Sequence, residues 1–202
     1  DLGVVHDARI RGQHAVHVGP DLDFCRLDGR ADDPVGDAIQ LLAGLVHLFI
    51  SFLFQKEAIP IPPYPEPLLR WSAELYQESW QIPGFSLQEN DYAIEQRKCG
   101  GNAQYIRKDR WLHHTSFLWD YKDANMDYLL LPPKRPKYRS DRPHKEFLCR
   151  LKDFASTPEA LASQLKNRLV KQFHLQDLSP TDLSFPPHRQ MTQQILGIRP
   201  NF

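Results

Sequence analysis

The chain has 202 residues, with 25 basic against 25 acidic side chains and no net formal charge. At roughly 150 residues per domain this is the size of one domain with an extension. Balanced charge gives no general pull toward phosphate backbones or anionic lipid, so composition argues against nucleic-acid binding and peripheral membrane attachment. The average conceals a shift along the chain. The first 50 residues contain no Lys, Glu, Ser, Thr, Asn, Tyr, Trp or Met, whereas the remainder holds all ten lysines, eight glutamates and four tryptophans.

In chain order, Asp1 to Asp37 shows no sustained period of 2 or 3.6, and DGRADDPVGD reads as loop. Residues 1–37 are therefore expected to be an irregular or disordered extension outside the core. Ala38 to Phe54 carries no formal charge over a length at the short end of what spans a bilayer. Within it, Leu48 to Phe54 (LFISFLF) is rich in aromatic and β-prone residues, and the favoured reading is an inner strand of a sheet covered on both faces. A membrane anchor is the competing reading.

Ile59 to Pro67 (IPIPPYPEP) must be an extended connector, because proline lacks the amide that helix and sheet interiors need. A helix follows, with Leu68, Leu69, Ser72, Leu75, Tyr76 and Ser79 on one stripe and an end at Pro83-Gly84. Phe85 to Tyr121 has strand texture and is expected to form a β-meander. Near the C-terminal end, Ser156 and Glu159 have capping-box spacing, Pro158 suits a first turn, and Leu161, Leu165, Leu169 and Phe173 recur at helical intervals. Residues 176–202 turn polar and proline-bearing and are expected to be a weakly ordered tail, leaving 38–175 as the folded unit.

The stretch richest in chemistry is Arg97 to Tyr121. Gly100 and Gly101 are expected to turn the chain and let a ligand approach, since no Cβ intervenes. Lys98 is then placed to stabilise a phosphate or a developing oxyanion, with the amides of Gly101 to Ala103 as fixed donors. His113 and His114 must face opposite sides of a regular strand, so only one of them meets that spot. Cys25, Cys99 and Cys149 make an odd count without a CxxC pair, and no HxxxH or carboxylate cluster accompanies the histidines, so no metal site is expected. Ser116 lacks the GxSxG elbow of a serine nucleophile. No targeting signal is legible, and the expected setting is soluble and intracellular, in cytoplasm, mitochondrion or plastid.

RKCGGNAQ followed by DRWLHHTSFLWDY resembles the core of the lipoate-protein ligase, octanoyltransferase and biotin-protein ligase superfamily. The match is best in the lipoate-ligase-like branch with a K-x-x-G-[SN]-A motif followed by R-x-x-H-H, and the plant-type members come nearest. The resemblance implies an α+β fold like that of class II aminoacyl-tRNA synthetases and biotin ligases: a central, mostly antiparallel sheet with flanking helices, irregular or truncated on its N-terminal side. It also implies activation of lipoate or octanoate by ATP with Mg2+, and transfer of the acyl group to a lysine of a lipoyl-domain or H-protein type carrier by a monomer. Lys98 falls on the catalytic lysine; Gly101, Asn102, Ala103, His113 and His114 fall on positions that hold the acyl-adenylate. The sequence departs from the family in lacking a Gly-Gly-Gly motif upstream. Val4-Val5-His6-Asp7 is similar to the end of that motif but lies far from Leu48. Two further readings follow: octanoyl transfer without ATP through a Cys149 thioester, and a degenerate, non-catalytic family member.

Overall fold

The structure is a computed structural model that describes residues 46–178, together with the strands β1 (His6–Ile10) and β2 (His14–Gly19). Then come β3 (Val46–Gln55), helix α1 (Pro65–Trp80), β4 (Phe85–Gln88), β5 (Asp91–Ile94), β6 (Arg97–Ile106) and β7 (Arg110–Asp120). After short 3-10 turns at Asp123–Tyr128 and Lys137–Arg139 come the one-turn helix α2 (His144–Phe147), helix α3 (Pro158–Leu169) and β8 (Leu175–Leu178). Among the described residues the strands form one sheet in the order β4-β5-β6-β7-β3-β2-β1-β8, and every neighbouring pair is antiparallel. This is the α+β architecture implied by the resemblance.

The apolar run at Leu48 to Phe54 is an inner strand. β3 lies between β2 and β7 and is buried almost without interruption, as a strand covered on both faces must be. Among the described residues no helix is long and apolar enough to cross a membrane. The part of the apolar segment before Val46 lies outside the described residues.

β4 to β7 form the expected meander, with three tight hairpins. Glu89 and Glu95 take positive φ (52° and 57°) in the first two, and Arg107 N donates to Arg110 O across the third. One expectation fails here: Gly100 and Gly101 do not turn the chain. β6 runs straight through them, neither has positive φ, and the local irregularity is a β-bulge, with Ala93 opposite Lys98 and Tyr92 opposite Gly100.

Residues 1–37 were expected to lie outside the fold, yet two stretches of them form strands: β2 pairs with β3, and β1 pairs with β2 and β8. The DGRADDPVGD stretch and residues 179–202 of the expected tail lie outside the described residues.

Helices α1 and α3 cover one face of the sheet. α1 starts with Pro65 in its first turn and ends with Gln81 in the left-handed region (φ 51°), burying Leu68, Leu69, Ser72, Ala73, Leu75, Tyr76 and Trp80. α3 buries Leu161, Ala162, Leu165 and Leu169, and its N-cap is Thr157, whose hydroxyl accepts from Ala160 N at 3.1 Å. The cap therefore falls one residue after the expected Ser156. The helices are joined by Trp80 Nε1 donating to Leu161 O (3.1 Å) and by an ion pair between Arg168 and Glu78. Leu48, Ile50, Phe52 and Phe54 of β3 and Trp111 and Phe117 of β7 complete this core. Each large side chain fully buried there stabilises the fold by roughly 1.5–3 kcal/mol.

Candidate active site

Strand alternation sorts every residue of the chemistry-rich stretch onto one of two faces, because directly paired residues of antiparallel strands share a face. The helix face is fixed by β7 residues that meet α1: Thr115 Oγ1 accepts from Tyr76 Oη at 3.0 Å, and Phe117 stacks edge-on against Tyr76 and Trp80. Gly100 pairs with Phe117, Asn102 with Thr115 and Gln104 with His113, so these β6 residues belong to the helix face. Gly101 pairs with Ser116 and Ala103 with His114, which puts them on the opposite face.

His113 is fully buried on the helix face. Its Nε2 is 2.9 Å from Tyr92 Oη, which is 2.7 Å from Ser72 Oγ of α1, and 3.3 Å from Thr115 Oγ1. Burial and then the neighbouring His114 bring its pKa down to about 3, so the ring is neutral at ordinary pH. Its Nδ1 is buried without a partner. Asn102 donates through Nδ2 to Asn90 O at 2.8 Å, tying β6 to the β4–β5 hairpin.

The opposite face holds Lys98, Gly101, Ala103, His114 and Ser116. The Lys98 ammonium lies 3.5 Å from where a Cβ on Gly101 would stand, so this glycine keeps open the space beneath it. Gly100 has a different duty. A Cβ there would sit 2.6 Å from the Phe117 ring, so its absence lets Phe117 pack. β5 stops pairing at Gly100, and among the described residues β6 from Gly101 onward has a strand neighbour only in β7.

β3 adds groups that the motifs did not reveal. Ser51 Oγ is 2.7 Å from His114 Nδ1, and His114 Nε2 is 3.4 Å from Ser116 Oγ. Phe49 lies between His47 and His114, stacked on each with ring centroids 5.5 Å apart. Burial lowers the His47 pKa to about 4, leaving that ring uncharged at ordinary pH. The period-2 pattern of β3 carries the signal: His47, Phe49 and Ser51 share the face opposite Leu48, Ile50 and Phe52.

Lys98 itself is anchored. Its Nζ is 2.7 Å from Asp91 Oδ1, its carbonyl accepts from Cys149 N at 2.9 Å, and its side chain keeps 31% of its exposure. Cys149 is buried, with Sγ donating to Arg97 O at 3.4 Å. Cys99 is buried beside it; burial pushes the Cys99 thiol up, while its hydrogen bond to Cys149 lowers the latter. A thioester nucleophile needs an open approach, and Cys149, at 1% exposure, has none. Among the described residues no three His, Cys, Asp or Glu side chains gather as a metal site.

This geometry has relatives. The family model of the lipoyl protein ligase A/B catalytic domain matches residues 42–174. The chain is 37% identical over 97 residues to an inactive lipoate–protein ligase 2 of Plasmodium falciparum, an alignment covering 40% of this chain and 25% of that protein. Among solved structures it is similar to a bipartite lipoate protein ligase from Thermoplasma acidophilum, studied with its E2 lipoyl domain (TM-score 0.50, 19% identity, 67% of this chain and 56% of that one). Lipoate-protein ligase A bound with ATP gives a TM-score of 0.49 at 16% identity, over 67% of this chain and 57% of that one. The chain thus spans about a quarter of the curated relative and little more than half of these ligase structures. With a match to the family model over most of its length, the chain belongs to the lipoyl protein ligase A/B catalytic-domain family.

Proposed function

We propose that this domain activates lipoate or octanoate with ATP and passes the acyl group to a lysine of a lipoyl-domain or H-protein type carrier. In the first step a carboxylate oxygen attacks the α-phosphorus and pyrophosphate leaves. In the second the carrier amine attacks the acyl carbonyl, an amide forms and AMP leaves. Both steps build negative charge on oxygens, which a fixed ammonium and backbone N–H groups stabilise. The observation that carries the reading is the Lys98 ammonium standing over Gly101, on the sheet face away from the helices. Gly101, Ala103 and His114 line the same face, with Phe49 and His47 as a wall for the acyl chain. Asn102 and His113 support this arrangement from the helix side.

The test is ATP-dependent acylation of a lipoyl domain by the 202-residue chain, with lipoate and octanoate compared. Lys98→Ala is expected to lower the rate at least a hundredfold with the fold retained by circular dichroism, because its ammonium meets charge that develops during reaction; loss of its ion pair with Asp91 should cost only a little stability. Absence of transfer by the folded wild type overturns the reading.

A second reading is a family member that binds the acyl-adenylate without forming it. It is favoured by the missing Gly-Gly-Gly motif and by the inactive ligase of P. falciparum among its relatives. Tight calorimetric binding of an octanoyl sulfamoyl-adenosine together with no transfer identifies it.

A further inference from the structure

The Lys98 ammonium is the end of a chain of contacts running through three separate segments. Asp91, at the start of β5, takes the ammonium on Oδ1 at 2.7 Å and accepts a hydrogen bond from Tyr138 Oη on Oδ2 at 3.0 Å. Asp91 and Lys98 are on the same face, since Tyr92 between them reaches the helix side and Ala93 pairs with Lys98. Tyr138 belongs to the 3-10 turn Lys137–Arg139. Its own amide donates to Glu89 Oε1 at 3.2 Å, and its ring packs on Phe147 at 5.2 Å. That turn is closed by arginines: Arg139 Nε donates to Arg142 O, Arg142 Nε to Arg139 O, and Arg142 Nη2 to Tyr138 O. Burial and the Asp91 charge push the Tyr138 hydroxyl far up, so it remains a donor across the working pH range. The Asp91 side chain keeps only 14% of its exposure, which limits the competition from water.

The geometry points to Asp91 and Tyr138 as positioning residues that hold the Lys98 ammonium over Gly101. Both oxygens of the carboxylate are used, one on the ammonium and one on the phenol, so the carboxylate plane is fixed and with it the direction in which Lys98 leaves β6. A lysine has four rotatable bonds and a strongly hydrated head, and without this clamp its ammonium spreads over the surface. Holding it in advance removes an ordering cost that ligand or transition state would otherwise bear. The inference rests on the reading of Lys98 as the group that meets the acyl-adenylate, but its geometric part is tested without any turnover.

The experiment uses the full chain and Asp91→Asn, Asp91→Glu and Tyr138→Phe, each first checked for unchanged folding by circular dichroism and melting. The lysines are labelled briefly with an amine-reactive acylating probe and read one by one by mass spectrometry. Lys98 labelling is expected to rise about tenfold in Asp91→Asn and about threefold in Tyr138→Phe, to return close to wild type in Asp91→Glu, and to leave the other lysines unmoved. Affinity for octanoyl sulfamoyl-adenosine is expected to fall by the same factors. If the wild type transfers acyl groups, Asp91→Asn lowers kcat with little change in KM for ATP. Unchanged Lys98 labelling in Asp91→Asn overturns the inference, whatever the activity. A wild type that transfers nothing overturns the proposed function and leaves the labelling result standing. A general rise in labelling of all lysines shows a merely structural bridge and also overturns it.

Discussion

On the helix side of the sheet His113 is fully buried against Tyr92 and Thr115, which in turn bond to Ser72 and Tyr76 of α1, and is held neutral; on the other side His114, its chain neighbour, is half-buried against Ser51, Ser116 and Phe49. The glycine pair divides in the same way. Gly100 gives its missing Cβ to the packing of Phe117, and Gly101 gives its own to the space under Lys98. Adjacent positions of a strand belong to different environments, so each doublet of the motif joins one residue that builds the core to one that faces the site. Substitutions within a doublet should accordingly separate stability from binding.

The largest expected effect lies on the helix side, in acid. His113 has a pKa of about 3 in the folded chain against 6.5 for an unperturbed histidine. Above pH 6.5 both states are neutral and the group adds no pH dependence. Below it the unfolded chain takes up a proton that the folded chain refuses, so stability falls as pH drops from 6.5 toward 3, by about 1.4 kcal/mol per pH unit from this one group. Denaturant titrations from pH 7 to 4 should show a shallower decline in His113→Gln than in the wild type, because the other titrating groups are common to both. Equal slopes would show that the imidazole is reached by solvent before the fold opens.

The glycines give the next effect and the sharpest form of the comparison. Gly100→Ala drives a methyl into the Phe117 ring and should cost about 1–3 kcal/mol of stability, seen as a lower denaturation midpoint. Gly101→Ala meets only the end of Lys98 at ordinary contact distance, 3.5 Å, and should leave that midpoint nearly unchanged. Its cost should appear in binding of octanoyl sulfamoyl-adenosine, weakened on the order of tenfold, or about 1.4 kcal/mol. A reversal of the two outcomes would invert the assignment of faces.

Most of the architecture is legible in the sequence, for reasons that differ by element. LFISFLF declares a doubly covered strand because apolar residues fall on both of its alternating faces, with Ser51 as the single polar interruption. The meander is legible from alternation broken by short polar turns, and α1 from its stripe after the prolines. The strands HDARI and HAVHVG are not legible, since charges and small residues interrupt both patterns. They exist by strand pairing, β2 onto β3 and β1 between β2 and β8, a tertiary effect that outweighs local propensity. The glycine pair was expected to turn because nothing local reveals Phe117 on the next strand. At the site, Lys98 and the division of the two histidines follow from motif and alternation. Asp91, Tyr138 and Ser51 do not, because strand register alone brings Asp91 to Lys98 and Ser51 to His114, and Tyr138 reaches Asp91 from a distant 3-10 turn.

The smallest expected effect concerns the start of α3, where sequence and structure disagree by one position. Both Ser156 and Thr157 can cap a helix, and Ser156 has the favourable partner Glu159 three residues on. The chain instead places Thr157 at the cap, with extended backbone (φ −150°, ψ 158°) and its hydroxyl accepting from Ala160 N, so that Pro158 occupies the first helical position. Proline explains the choice: it has no amide to leave unsatisfied and a φ already suited to the first turn, so the cap must be the residue just before it. Thr157→Ala should therefore lower stability by about 1 kcal/mol and Ser156→Ala by a few tenths at most, in the same denaturant titration. Because α3 supports only the helix side of the sheet, neither change should alter Lys98 labelling. Altered labelling in Thr157→Ala would mean that the two faces are coupled through α1 and that the separation argued from the doublets is incomplete.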